Sequence, residues 1–144
     1  MDNLQVISSA EAENSGAQYA TFMKTKGFEF IADEPQVSGG KNLGPAPGDY
    51  LCMALASCKA ITLRMYVQRK GWNLDIIRVK VSLAKGEQDL AVNNTFYSEI
   101  FVDGKLDEEQ QKRLLHIAKA CPIRKLVSKQ NEVVTSIVNN TIST

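Results

Sequence analysis

The sequence predicts an α+β domain, antiparallel sheet wrapped around one long central helix, and three observations carry that expectation. The run from Asp49 to Lys70 holds neither Gly nor Pro and is apolar nearly all round in its first half, the mark of a helix buried on most sides. Ile77, Val79, Val81 and Leu83 alternate with Arg78, Lys80 and Ser82, the period of a strand with one buried face. The whole order of elements, ββ-α-ββ-αα-β, suits a domain in which sheet and helix are segregated.

Residues 1–16 are polar and expected to be a flexible lead-in, with a single domain over 17–144. Ala17 to Lys24 and Phe28 to Ala32 are aromatic-rich and flank Thr25-Lys26-Gly27, which predicts a hairpin. The stretch SGGKNLGPAPG, Ser38 to Gly48, is dense in Gly and Pro and reads as loop. In the long helix Asp49 stands in the first turn, where a carboxylate suits the dipole, and Gly71 is a natural C′ stop. After the alternating strand, Gly86 to Asp89 and Asn93-Asn94 read as turn, Thr95 to Val102 as the antiparallel neighbour, and Asp103-Gly104 as its close. Asp107 with Gln110 makes a D-x-x-Q capping box opening a helix to about Ala120, with Leu114, Leu115 and Ala118 on its apolar face. Pro122 is a favoured first helical residue, so Cys121 should precede a short helix to about Lys129. Val133 to Val138 is expected to be a last strand.

A net charge of +1 supplies no basic field for nucleic acid and no polybasic cluster for an anionic membrane. The N-terminal MDNLQVISSAEAEN has no apolar h-region, and no apolar stretch is expected to reach the length of a bilayer span. The expectation is a cytoplasmic protein with neither a nucleic-acid nor a membrane partner. Three cysteines at irregular spacing are not a disulfide framework, and in the cytosol a thiol pair is more often catalytic or redox-active than structural. With one histidine and no C-x-x-C, no common metal set is present. The Gly39-Gly40 and Gly44 loop lacks the spacing of a phosphate-binding motif.

The chemistry therefore rests with the cysteines. Cys121, set before a helix start, should meet unpaired backbone N–H groups and the positive end of a dipole, with Arg124 and Lys125 in the same turn. That setting favours thiolate and predicts Cys121 to be the more acidic thiol, although a cysteine at an N-cap also serves structure alone. Cys58 lies in an apolar helix, where a cysteine is commonly a small buried hydrophobe; it is also a second thiol, remote in sequence, able to share an oxidation with the first. Cys52, six residues earlier, points to another side of the helix and reads as core. His116, between Leu115 and Ile117, reads as structural, and a hydrolytic pair with Cys121 would lack a third orienting group.

Five pieces of the chain resemble the OsmC/Ohr family of thiol-dependent peroxidases acting on organic hydroperoxides. They are DEP (Asp33 to Pro35), Gly39-Gly40, GPAPGDYLCMALASC (Gly44 to Cys58), TLRMYVQRKGW (Thr62 to Trp72) and ACPI (Ala120 to Ile123). Their order and spacing match over roughly residues 17–140, and the OsmC-like branch is the nearest. The resemblance implies an intertwined α+β homodimer with each central helix buried between sheets and two active sites at the dimer interface. It implies that Cys58 attacks the hydroperoxide and becomes sulfenic acid, that Cys121 resolves it to a disulfide, and that a dithiol such as dihydrolipoamide reduces the disulfide. Asp49 would help to orient or polarise the site. No metal or bound cofactor is implied.

The chain departs from the family in several places. Asp49 stands where the family has glutamate, and its carboxylate is one methylene shorter. No arginine precedes Arg64, whereas the peroxidases take their activating arginine from the N-terminal part. Lys24 or Lys26 is the available substitute, without the forked contact an arginine makes. Arg64 falls within TLRMY and is expected to form a structural salt bridge. Lys59 follows Cys58 where threonine is common, and neighbouring helical residues point about 100° apart, so it is not automatically a partner. Arg124 replaces a histidine. Beside the organic hydroperoxide reductase, two other readings therefore stand: a fold relative that binds a small hydrophobic or thiol-reactive ligand without turnover, and a redox sensor whose disulfide switches a partner.

Overall fold

Lys26 and Gly27 both take positive φ, 49° and 84°, the backbone of a two-residue turn whose twist matches that of paired strands. In the computed structural model, which describes residues 4–16, 18–86 and 94–138, this turn joins β2 (Thr21–Thr25) to β3 (Phe28–Ala32). Thr25 pairs with Phe28 and Thr21 with Ala32, so the expected hairpin forms, with its first strand starting at Thr21 and Thr25 inside the strand rather than in the turn. The segment expected to be a flexible lead-in carries a further strand, β1 (Glu11–Glu13), antiparallel to β2 with Glu11 opposite Lys24. The sheet order is β1-β2-β3.

The chain falls into two compact units, Met1–Ala56 with Lys80–Glu99, and Ser57–Val79 with Ile100–Thr144. In the first, Asp33 organises the loop after β3. Its carboxylate accepts from the backbone N–H groups of Glu34 (2.7 Å), Lys41 (3.3 Å) and Leu43 (3.1 Å), while its own N–H donates to the Pro45 carbonyl. The Leu43 N–H chiefly, with those of Glu34 and Lys41 and the Lys41 charge, holds this carboxyl below its ordinary range against the opposing effect of burial. Gly40 closes the same loop, its N–H on the Pro35 carbonyl, and a side chain there would run into the Glu34 carbonyl oxygen. Asp33, Pro35 and Gly40 are thus parts of one loop lock. Tyr50, in the first turns of α1 (Pro47–Lys70), donates its hydroxyl to the Ile31 carbonyl at 2.6 Å and sets its ring edge-on to Phe30.

The second unit holds the larger core: Leu63, Tyr66, Val67, Leu74, Leu114 and Ala118, flanked by Trp72, Ile77, Ile100, Val102, Leu106 and Ile117. α1 ends in a Schellman motif, with Gly71 N–H on the Gln68 carbonyl and Trp72 N–H on that of Val67. Trp72 thereby meets the edge of Tyr66, whose hydroxyl accepts from Arg113 Nε at 3.0 Å. β4 (Ile76–Ala84) and β5 (Thr95–Asp103) form a two-stranded antiparallel sheet. Most of the turn expected between them lies outside the described residues. α2 (Glu108–Ala118) opens on the expected capping box, Asp107 and Gln110 each bonding the other's backbone N–H. α3 (Pro122–Val127) follows with Cys121 as its N-cap.

Three expectations need correction. Val133 to Val138 forms no strand, and Val133, Val134, Ile137 and Val138 are largely exposed. A strand exists only where a neighbour takes its ladder hydrogen bonds, and among the described residues no such edge meets this segment. Burial along α1 runs in one stripe, Leu55, Lys59, Leu63, Tyr66 and Val67, while Leu51, Ile61 and Met65 remain more than half exposed. One copy of the chain covers one side of this helix. Finally, α1 is long and apolar enough to cross a membrane by length and composition, 24 residues with a mean hydropathy of 1.2 over 18. Its contacts are those of a domain helix, however: Lys59 at its middle and Arg64 beyond it bond to backbone carbonyls, and both charges would be expensive in hydrocarbon.

Candidate thiol site

Pro122 at the first helical position fixes the backbone before it, and Cys121 sits there in extended conformation (φ −65°, ψ 139°). This aims its Sγ back at the opening turn of α3, where it accepts from the Arg124 N–H at 3.3 Å. Arg124 in turn donates from Nη1 to the Lys119 carbonyl at 3.1 Å, fastening α3 to the end of α2. The Cys121 side chain is fully buried. Cys58, on α1, lies near enough to act on its titration, and both are free thiols. The two cysteines singled out from sequence are therefore brought together within one unit.

The acidity expected of Cys121 is not what this environment gives. Burial pushes its thiol up, and the hydrogen bond and charge of Cys58 add to that rise; the Arg124 N–H and the Lys59 charge pull the other way and lose. The N-cap geometry is present, but a single N–H on a helix of six residues, fewer than two turns, does not offset removal from water.

Lys59 completes the cluster. It is 5 % exposed, and its Nζ donates to the Ala118 carbonyl at 2.9 Å. Burial lowers its pKa, Arg124 adds to the fall, and Cys121 and Cys58 oppose it. The sequence holds a signal for it, a cation in the middle of an otherwise apolar run, but does not show that the end of α2 takes its Nζ.

The other candidates have local duties. Asp49 is exposed in the first turn of α1, and its Oδ2 accepts from the Ala46 N–H at 3.0 Å. Among the described residues Arg64 makes no salt bridge to a carboxylate; its two Nη atoms donate to the Leu74 and Asp75 carbonyls at 2.6 and 2.9 Å. Lys24 pairs with Glu11 at 3.2 Å on an exposed face. Cys52 is half-buried and His116 exposed. Among the described residues no cluster of three or more His, Cys, Asp or Glu side chains gathers to hold a metal.

OsmC-like proteins match this chain over residues 39–136, more than half its length and across both cysteines of the pair. The chain belongs to the OsmC-like family. No curated protein matches it closely, but solved structures share its fold. An osmotic stress induced and detoxification response protein of Psychrobacter arcticus superposes with a TM-score of 0.71 at 20 % identity, over 86 % of this chain and 90 % of that one. The organic hydroperoxide resistance protein OsmC of Legionella pneumophila gives 0.62 at 14 %, over 87 % and 91 %. An organic hydroperoxide resistance protein of Vibrio cholerae, with captopril bound in one of its active sites, gives 0.61 at 18 %, over 87 % and 88 %. The mixed architecture described above, two antiparallel sheets and a long helix, is thus the OsmC-like fold.

Proposed function

We propose that this OsmC-like protein is a thiol-dependent peroxidase that reduces organic hydroperoxides, with Cys58 attacking and Cys121 resolving. The observation that carries the reading is the placement of two free thiols from separate elements beside each other, near enough for one to shift the other's titration, one half-buried and one fully buried. The less buried thiol suits the meeting with a substrate, and the buried one is close enough to follow. The Cys58 thiolate attacks the terminal peroxide oxygen; the O–O bond breaks, the alkoxide leaves and takes a proton, and Cys58 becomes sulfenic acid. Cys121 then displaces that oxygen as water, and the S–S bond forms. A dithiol of the dihydrolipoamide kind returns the pair to thiols. Relatives of the same fold named for organic hydroperoxide resistance support the substrate class.

On this proposal the working unit is a homodimer in the cytoplasm. The exposed apolar row Leu51, Ile61 and Met65 on α1, and the unpaired apolar segment Val133 to Val138, are the surfaces a second copy would cover. Asp49, the acidic residue that the resemblance offers, holds the start of α1 through its bond from the Ala46 N–H.

The test is intact-mass and peptide mapping after one equivalent of cumene hydroperoxide, on wild type and Cys58→Ser. A Cys58–Cys121 disulfide formed within seconds in wild type alone supports the reading. Oxidation that is slow, scattered over the three cysteines or unchanged in Cys58→Ser overturns it.

A further inference from the structure

A buried ammonium needs an anion, and Lys59 has none of the usual kind. It lies 5 % exposed at the middle of α1, and the bond from its Nζ to the Ala118 carbonyl satisfies a donor without neutralising a charge. Among the described residues no carboxylate forms an ion pair with it. An uncompensated buried charge is strongly destabilising. The charged and titratable groups that act on Lys59 are Cys121, Arg124 and Cys58. Arg124 is a cation, so the groups there able to become anions are the two thiols, and Cys121 is fully buried three residues past the Ala118 carbonyl that Lys59 holds.

We propose that Lys59 is the counter-ion of the thiolate formed by the Cys58–Cys121 pair, a positioning residue that keeps this buried pair able to ionise. The ion pair stands apart from any substrate; its use in turnover rests on the peroxidase reading. In the resolving step Cys121 gives its proton to solvent and its thiolate lies against the Lys59 ammonium. That thiolate attacks the sulfenic sulfur of Cys58, the S–S bond forms, the S–O bond breaks, and hydroxide leaves and takes up a proton as water. The ammonium is unchanged.

The experiment titrates thiolate ultraviolet absorbance in the full-length protein carrying Cys52→Ser, below about pH 10 so that tyrosines stay protonated. The same chain is then measured with Lys59→Met, Lys59→Gln and Lys59→Arg. Loss of the charge should move the thiolate transition upward by about one pH unit, read as a lower thiolate absorbance at the top of that pH range in both the Met and Gln variants, and Arg should hold it near the parent. Gln keeps a donor for the Ala118 carbonyl, so a lysine that served only that hydrogen bond would leave the Gln titration unmoved, which overturns the inference. The Gln variant also decides the matter if Lys59→Met does not fold. One unit of pKa is about tenfold in thiolate, so disulfide closure after cumene hydroperoxide should slow roughly tenfold in Lys59→Gln, with Cys58 sulfenic acid accumulating for capture by dimedone. A shifted titration in a protein that forms no sulfenic acid at all would support the ion pair and remove the peroxidase reading.

Discussion

Arg64 is the first arginine in the chain and so the first one to suspect of activating a thiol, yet its two Nη atoms are spent on the Leu74 and Asp75 carbonyls. Those two bonds clamp the end of α1 to the entry of β4, just past the Schellman turn at Gly71. Replacing Arg64 by Ala removes both. A hydrogen bond to a charged group contributes about 1.5–3 kcal/mol when sheltered, and here one of the pair is exposed, so about 2 kcal/mol is the expected loss. Unfolding entropy of about 2.1 cal/mol/K per residue gives a chain of this length roughly 0.3 kcal/mol/K, so Tm should fall by about 7 °C. Arg64→Lys, with one compact ammonium, should recover about half of it. The assay is thermal unfolding followed by far-ultraviolet circular dichroism, paired with disulfide formation after cumene hydroperoxide at a temperature where both proteins are folded. The clamp predicts a large change in the first and none in the second. A closure rate reduced tenfold or more in fully folded Arg64→Ala, or a Tm within a degree of wild type, would refute it.

Two further predictions concern pH. The Asp33 carboxyl is held below its ordinary range by the loop's N–H groups, so its contribution to stability is present above about pH 3.9 and lost as pH falls through the lower folded value; urea titrations should show Asp33→Asn flattening that acid limb. The Cys121 thiol is held above its ordinary value, so the folded chain keeps a proton that the unfolded chain has shed, and stability should decline as pH rises from about 8.5; Cys121→Ser should decline less over the same range, whereas equal slopes would mean that burial does not control this thiol.

What could be read from sequence was local. The Lys26-Gly27 turn, the Asp107–Gln110 box, the Gly71 stop and the Cys121-Pro122 helix start each depend on a few consecutive residues, and each stands as expected. The family pieces located both thiols for the same reason. What failed depended on distant neighbours. β1 is a three-residue strand of Glu-Ala-Glu, with no hydrophobic pattern, held by its pairing to β2. Val133 to Val138 has the pattern of a strand and, among the described residues, no edge to join. Arg64 was expected to seek a carboxylate and instead meets carbonyls left free at a turn. Lys59 stands apart from Cys58 on one helix alone, and it is the end of α2, whose Ala118 carbonyl takes its Nζ, that ties it down near Cys121.

Cys121 shows how two correct principles rank once magnitudes are attached. A helix start lowers a thiol pKa through its N–H groups and dipole, and the Arg124 N–H does bond to Sγ. The helix is only six residues long, however, and its field reaches little beyond the first turn. Full burial acts on the whole charge and runs the opposite way, so the thiol ends above its ordinary value. A thiol in that condition is a poor first nucleophile, which removes the conflict between helix electrostatics and the assignment of Cys58 as the attacking sulfur. It remains well placed as a second one. On the peroxidase proposal, a Cys121 kept protonated does not compete for peroxide; once Cys58 carries an oxygen, the neighbouring thiol is already beside it, and proximity replaces acidity as the source of rate. The Lys59 charge then matters most where water is least available to do the same work.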